Sequence, residues 1–105
     1  MIANELRIGN YLEDDIGNLI KIDRDSLPFI VTKWIKCHHP IPLTEEWLVK
    51  FGFSLQSKEM YFNYGMSIWK CNEMFICNKN GMIIKHVHQL QNLYFALTNE
   101  ELTIK

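Results

Sequence analysis

The sequence is short of the features that usually announce an activity. Its three cysteines, Cys37, Cys71 and Cys77, are odd in number and scattered. That argues against a secreted disulfide framework and points to reduced thiols and a cytoplasmic setting. No apolar run approaches the roughly 20 residues of a membrane helix. The first ten residues hold Glu5 and Arg7 and no apolar signal-peptide core, so neither membrane insertion nor secretion is expected. Neither sign of charge dominates: 11 Lys and Arg stand against 12 Asp and Glu. The electrostatic footprint of a nucleic-acid or anionic-membrane binder is therefore missing. No P-loop or GxGxxG occurs, so no nucleotide and no other cofactor is expected.

The most informative absence is local. Between His86 and Asn99 there is no Lys, Arg, Asp or Glu. Within that stretch Val87, Leu90, Leu93, Tyr94 and Leu97 fall in one stripe about 120° wide on a helical wheel, the spacing of a core-facing helix. Asn99 is suited to the left-handed conformation that ends a helix. Gln89, Asn92 and Ala96 lie opposite the stripe, and His88, Gln91 and Phe95 share a flank. A solvated helix face normally carries charge. Either this is an amide-rich exposed helix, or another protein surface covers it, as the charge-poor, aromatic-rich cores of interfaces would suggest.

What is present elsewhere reads as one α+β domain over residues 1–105, long enough to bury about 65% of its extended surface. Leu6–Leu12, a turn at Asp14–Asn18 and an alternating Leu19–Asp23 predict an N-terminal β-hairpin. Ser26-Leu27-Pro28 breaks the pattern, Phe29–Lys36 predicts a third strand, and Cys37–Pro42 an extended connector. Thr44 as N-cap, Glu45 and Glu46 in the first turn, a Leu43–Leu48 staple and Gly52 past the end predict a two-turn helix. From Met60 the period returns to two. Met60–Tyr64, Ser67–Cys71, Met74–Asn78 and Met82–Val87 predict an antiparallel meander, with Asn80-Gly81 as a hairpin signal. Leu102 and Ile104 alternate with polar residues and predict a short last strand. The expected order is β-β-β-α-β-β-β-β-α-β: hairpin and meander with helices at roughly 44–51 and 87–98.

Three segments also carry a likeness. Asn4-Glu5-Leu6-Arg7-Ile8-Gly9-Asn10 is the first. Pro42-Leu43-Thr44-Glu45-Glu46-Trp47-Leu48 with Phe51-Gly52-Phe53 is the second, and Val87–Thr98 with Glu100-Glu101-Leu102 the third. Together, about a third of the chain, they resemble a family of short uncharacterised proteins of Bacteroides-type bacteria, their prophages and mobile elements. The family commonly has Gly where this chain has Asn99. The resemblance implies an intracellular bacterial or phage accessory protein, and it assigns no catalytic or binding residue.

Chemistry-bearing clusters are sparse. Cys37, His38, His39, Cys71, Cys77, His86 and His88 are possible zinc ligands, but none sits in the short Cys loops of structural zinc sites. Cys71, Cys77 and His86 are the trio that strand pairing could bring together, and small core thiols are the simpler reading. Cys37 and His39 share one side of an extended segment, without an orienting third group nearby. Asp14-Asp15 and Glu100-Glu101 read as solvated turns. Tyr61, Tyr64, Trp69 and Phe75 on the meander could stack nucleic-acid bases. However, Lys58, Lys70, Lys79 and Lys85 are dispersed, so nucleic acid is not favoured.

The expectation is a non-enzymatic interaction module with no metal or cofactor. It would associate with itself or dock on another protein through His88, Gln89, Gln91, Asn92 and Phe95. Single-stranded nucleic-acid binding through sheet aromatics is the first alternative. A metal-binding protein or small thiol enzyme is the second.

Overall fold

The structure is a computed structural model that describes residues 6–32, 37–57, 59–63, 66–72, 74–78 and 81–104. It is α+β with antiparallel pairing throughout. In chain order the elements are β1 (Tyr11–Asp14), β2 (Leu19–Lys21), α1 (Leu27–Thr32), β3 (His38–Pro40), α2 (Glu45–Lys50) and β4 (Ser54–Ser57). There follow β5 (Met60–Asn63), β6 (Met66–Cys71), β7 (Met74–Cys77), β8 (Ile83–Ile84) and α3 (Val87–Thr98). Hairpin and meander do not share a sheet. One sheet runs β2-β1-β3 and the other β4-β5-β6-β7-β8.

The two expected helices stand where their end signals put them. Thr44 is the N-cap of α2, its hydroxyl oxygen accepting from the Trp47 N–H. At the other end Gly52 takes φ 89°. The Phe53 N–H returns to the Leu48 carbonyl at 2.9 Å and the Gly52 N–H to Val49 at 3.0 Å, a Schellman closure. Trp47 of α2 and the C-cap residue Phe51 pack with Tyr11 of β1, with ring centroids 5.5–6.0 Å apart. α3 ends on Asn99 at φ 61°, whose N–H bonds the Phe95 carbonyl at 2.7 Å.

Elsewhere the local placement differs. Leu27–Thr32 is helical rather than the start of a Phe29–Lys36 strand, and residues 33–36 lie outside the described set. The reason is a reciprocal cap: the Asp23 N–H donates to Ser26 Oγ at 3.0 Å and the Ser26 N–H to Asp23 Oδ1 at 2.7 Å. Pro28 then sits in the first turn, where a missing N–H costs nothing. The third strand is instead His38–Pro40, within the expected connector. It pairs with β1 at the sheet edge, where proline is tolerated. Leu102–Ile104 forms no strand. β4 was not expected, since Ser54–Ser57 has no alternation of its own.

Two apolar clusters divide the interior. The larger joins Leu48, Phe51, Ile68, Cys77, Val87, Leu90 and Tyr94 between α2, the five-stranded sheet and α3. The smaller holds Leu6, Leu12, Ile22 and Ile30 between the three-stranded sheet and α1. β1 bridges them because strand alternation sends Tyr11 to one and Leu12 to the other. Among the described residues no helix is long and apolar enough to cross a membrane.

Gly52→Ala forces an L side chain into left-handed backbone and should lower unfolding free energy by about 1–2 kcal/mol. Urea denaturation measures the loss; an unchanged midpoint would show that the Schellman closure is not needed.

Candidate functional site

The uncharged side of α3 divides into two parts. His88 and Gln91 are 1% and 0% exposed, so they face the interior and not a partner. This corrects the expectation that they form part of an outward contact face. The chain itself supplies the cover. Gln91 Oε1 accepts the Tyr11 N–H at 2.8 Å, while Nε2 donates to the Gly9 carbonyl at 2.7 Å and the Leu102 carbonyl at 3.4 Å. The amide oxygen and both amide protons are used, and a carboxylate, which has no proton to donate, could not serve the two carbonyls.

Asn92 continues the seam one residue on. Its Oδ1 accepts from Arg7 Nε at 2.8 Å and from Asn10 Nδ2 at 2.9 Å. Asn10 is fully buried, and its own Oδ1 accepts the Arg7 N–H at 2.6 Å. Gly9 at φ 96° makes the bend that brings both residues to the helix. The Glu101 carboxyl lies where a Cβ on Gly9 would meet it, at 3.5 Å. Gln89 works at the helix start, its Oε1 accepting the Lys85 and His86 N–H groups at 3.0 and 3.1 Å. The segments Leu6–Asn10, Ile41–Leu43 and Val87–Leu102 thus meet around α3. Leu43 donates to the Lys85 carbonyl, and Val87 to that of Ile41.

The remaining part is open. Gln89, Asn92, Leu93, Phe95 and Ala96 of α3 join Arg7 and Met82 around a cleft of about 450 Å³. Phe95 is 37% exposed, with the Arg7 guanidinium carbon 4.5 Å from its ring centroid. Arg7 is held there by Glu101, with Nη1 to Oε2 at 2.8 Å and Nη2 to Oε1 at 3.2 Å. Its charge is thereby balanced within the chain. The cleft offers an apolar floor with amide edges. Among the described residues neither a thiol nor a hydroxyl lines it.

Three of the five expected contact residues, Gln89, Asn92 and Phe95, therefore meet at this cleft. Arg7, Met82 and Leu93 were not anticipated in it. Arg7 lies more than 80 residues from Asn92 in sequence, and no local period signals such a pairing.

The other clusters disperse. Among the described residues no three His, Cys, Asp or Glu side chains gather as for a metal. Cys77 is buried while Cys37 and Cys71 are exposed. His39 Nε2 meets Asp15 Oδ1 at 2.5 Å in an exposed position, so a carboxylate from another element does meet this imidazole. Of the meander aromatics, Tyr61 and Phe75 are core residues, Trp69 is exposed, and Tyr64 lies outside the described residues. Asp14 caps its own turn, and the Asn18 and Ile16 N–H groups hold its carboxyl below the usual range. Lys70 binds Glu45, and that contact, with the Tyr61 hydroxyl, keeps the Glu45 carboxyl low. Burial, then Glu45, push the Tyr61 phenol up.

No protein-family model matches the chain, and no curated protein or solved structure is significantly similar to it. The geometry alone carries the reading.

Gln91→Leu leaves the Tyr11 N–H and Gly9 carbonyl buried without partners and should cost about 2–3 kcal/mol in urea denaturation. A loss below about 0.5 kcal/mol would mean water replaces the amide. Tyr61, with its raised value, contributes stability at pH below the ordinary phenol range of about 10, lost as pH climbs through the folded value. Ultraviolet titration should show a late phenol that Tyr61→Phe removes and Glu45→Gln brings down. An identical curve for Tyr61→Phe and wild type, apart from amplitude, would contradict this.

Proposed function

We propose that this protein is a non-enzymatic interaction module that docks another protein through the cleft beside α3. The observation that carries the reading is the exposed Phe95 ring at the cleft, with the Arg7 charge already balanced by Glu101. A cleft with a neutralised cation and an apolar floor favours an apolar or aromatic side chain of a partner over an anion. Gln89 and Asn92 line its rim, their amide oxygens engaged by Lys85, His86, Arg7 and Asn10 of the chain itself. The partner's anchor would insert between Phe95, Leu93 and Met82. His88 and Gln91 hold the helix in place from behind. A cytoplasmic setting in a bacterium or its phage fits this reading, given reduced thiols and the family likeness of the three segments around α3.

A photo-cross-linking amino acid at Ala96, in cells of the source organism, should give a discrete protein adduct. Phe95→Asp should abolish it, and Phe95→Ala should weaken binding about 30-fold, the loss of a hot-spot anchor. No adduct, or one indifferent to both substitutions, overturns the proposal.

A further inference from the structure

The lining of the α3 cleft is more particular than apolar. Three of its side chains, Arg7, Met82 and Phe95, hold an aromatic ring more strongly than an aliphatic group of like size. A guanidinium draws the negative face of a ring, a thioether sulfur sits well at its edge, and a second ring pairs with it offset or edge-on. These three come from separate parts of the chain: Phe95 from α3, Met82 from just before β8, and Arg7 from the N-terminal arm.

The state of Arg7 decides which occupant fits. Its N–H donors all lie in the guanidinium plane. Four hydrogen bonds occupy that rim: Nε to Asn92 Oδ1 at 2.8 Å, Nη1 to Glu101 Oε2 at 2.8 Å, and Nη2 to Glu101 Oε1 at 3.2 Å and the Gln91 carbonyl at 3.4 Å. A carboxylate or phosphate needs the same rim for bidentate binding and would have to displace Glu101. Hydrogen bonds do not consume the broad faces of the guanidinium. Its carbon already lies over the Phe95 ring, 4.5 Å from the centroid, so the chain makes this contact once within itself. The Arg7 side chain stays 31% exposed and Met82 54%, which leaves both within reach of a ring that enters from outside.

On the reading that this cleft docks a partner protein, we propose that it receives an aromatic side chain of that partner, tryptophan above all. The ring lies against the Arg7 guanidinium, the Met82 thioether and the Phe95 ring. An aliphatic anchor would gain the same burial but nothing from the cation or the sulfur. Tryptophan has the strongest cation–π attraction and is the commonest anchor of protein contacts. The cleft's volume of about 450 Å³ falls in the lower part of the roughly 300–1,000 Å³ range of small-ligand sites. That is room for one bicyclic side chain with its flanking backbone.

Titration of the full chain with N-acetyl-tryptophanamide, a neutral single-residue probe, tests this through isotope-labelled methionine methyl groups, the Met82 signal being assigned by Met82→Leu. That signal should move upfield by ring current and saturate with a Kd of about 1–10 mM. N-acetyl-leucinamide should bind at least about 5-fold more weakly, the share due to attraction specific to a ring. Arg7→Lys keeps the charge and loses the plane, and should narrow that preference. Phe95→Leu, which keeps the apolar floor, should narrow it too and carries the comparison if Arg7→Lys fails to fold. A Met82 signal that does not move, equal affinity for the two amides, or a preference unchanged in Phe95→Leu overturns the inference. Equal affinities with the Ala96 cross-link still formed sink the aromatic preference and leave the docking reading standing. Saturable binding of the tryptophan probe without any cross-linked adduct overturns the docked partner and makes free aromatic molecules the occupants.

Discussion

The buried amide of Gln91 is the interaction on which the rest of the structure leans. It lies on α3 but bonds to Tyr11 of β1, to Gly9 of the preceding bend and to Leu102 beyond the helix. Backbone groups of the N-terminal arm and of the segment beyond the helix are therefore satisfied by one side chain. Buried backbone polar groups must find partners, so the N-terminal arm can lie against the helix only where that amide waits. The same constraint decides the neighbouring residues. Asn10 and Asn92 pair beside it, and Arg7 closes the seam by reaching Glu101.

This explains why α3 carries no ionised residue. One side of it meets the five-stranded sheet through Val87, Leu90 and Tyr94. The other is covered by the arm that Gln91 holds. A charge at position 88 or 91 would be buried without a counter-ion, a cost of several kcal/mol. The charge-free composition is mostly the signature of an intramolecular contact, and only the Phe95 end stays open. On the larger sheet Phe62, Trp69, Met74 and Ile83 stand exposed among the described residues.

Local signals were read well where capping is self-contained. Thr44, the two glutamates and Gly52 specify α2 within a single stretch, and Asn99 terminates α3 as its short amide allows. Ser26-Leu27-Pro28 has the composition of a strand breaker, yet Leu27–Thr32 is helical. Asp23 and Ser26, capping each other, make the same letters a helix start. His38-His39-Pro40 has no strand pattern of its own and is a strand only by virtue of β1 beside it. At the cleft, Gln89, Asn92 and Phe95 were legible from the helical wheel. Arg7 was not, since a wheel has no means of naming a residue on another element.

The amino-acid sequence alone determined the α+β class, the period of the meander strands from Met60 onward and the ends of two helices. These are set by side-chain alternation and by caps that act over three or four residues. Tertiary structure decided which amides face inward, that hairpin and meander form separate sheets, and which uncharged surfaces remain open. Those outcomes depend on long-range partners. A glutamine reads the same in a sequence whether it bonds to water or to a strand eighty residues away, and only the folded chain distinguishes the two.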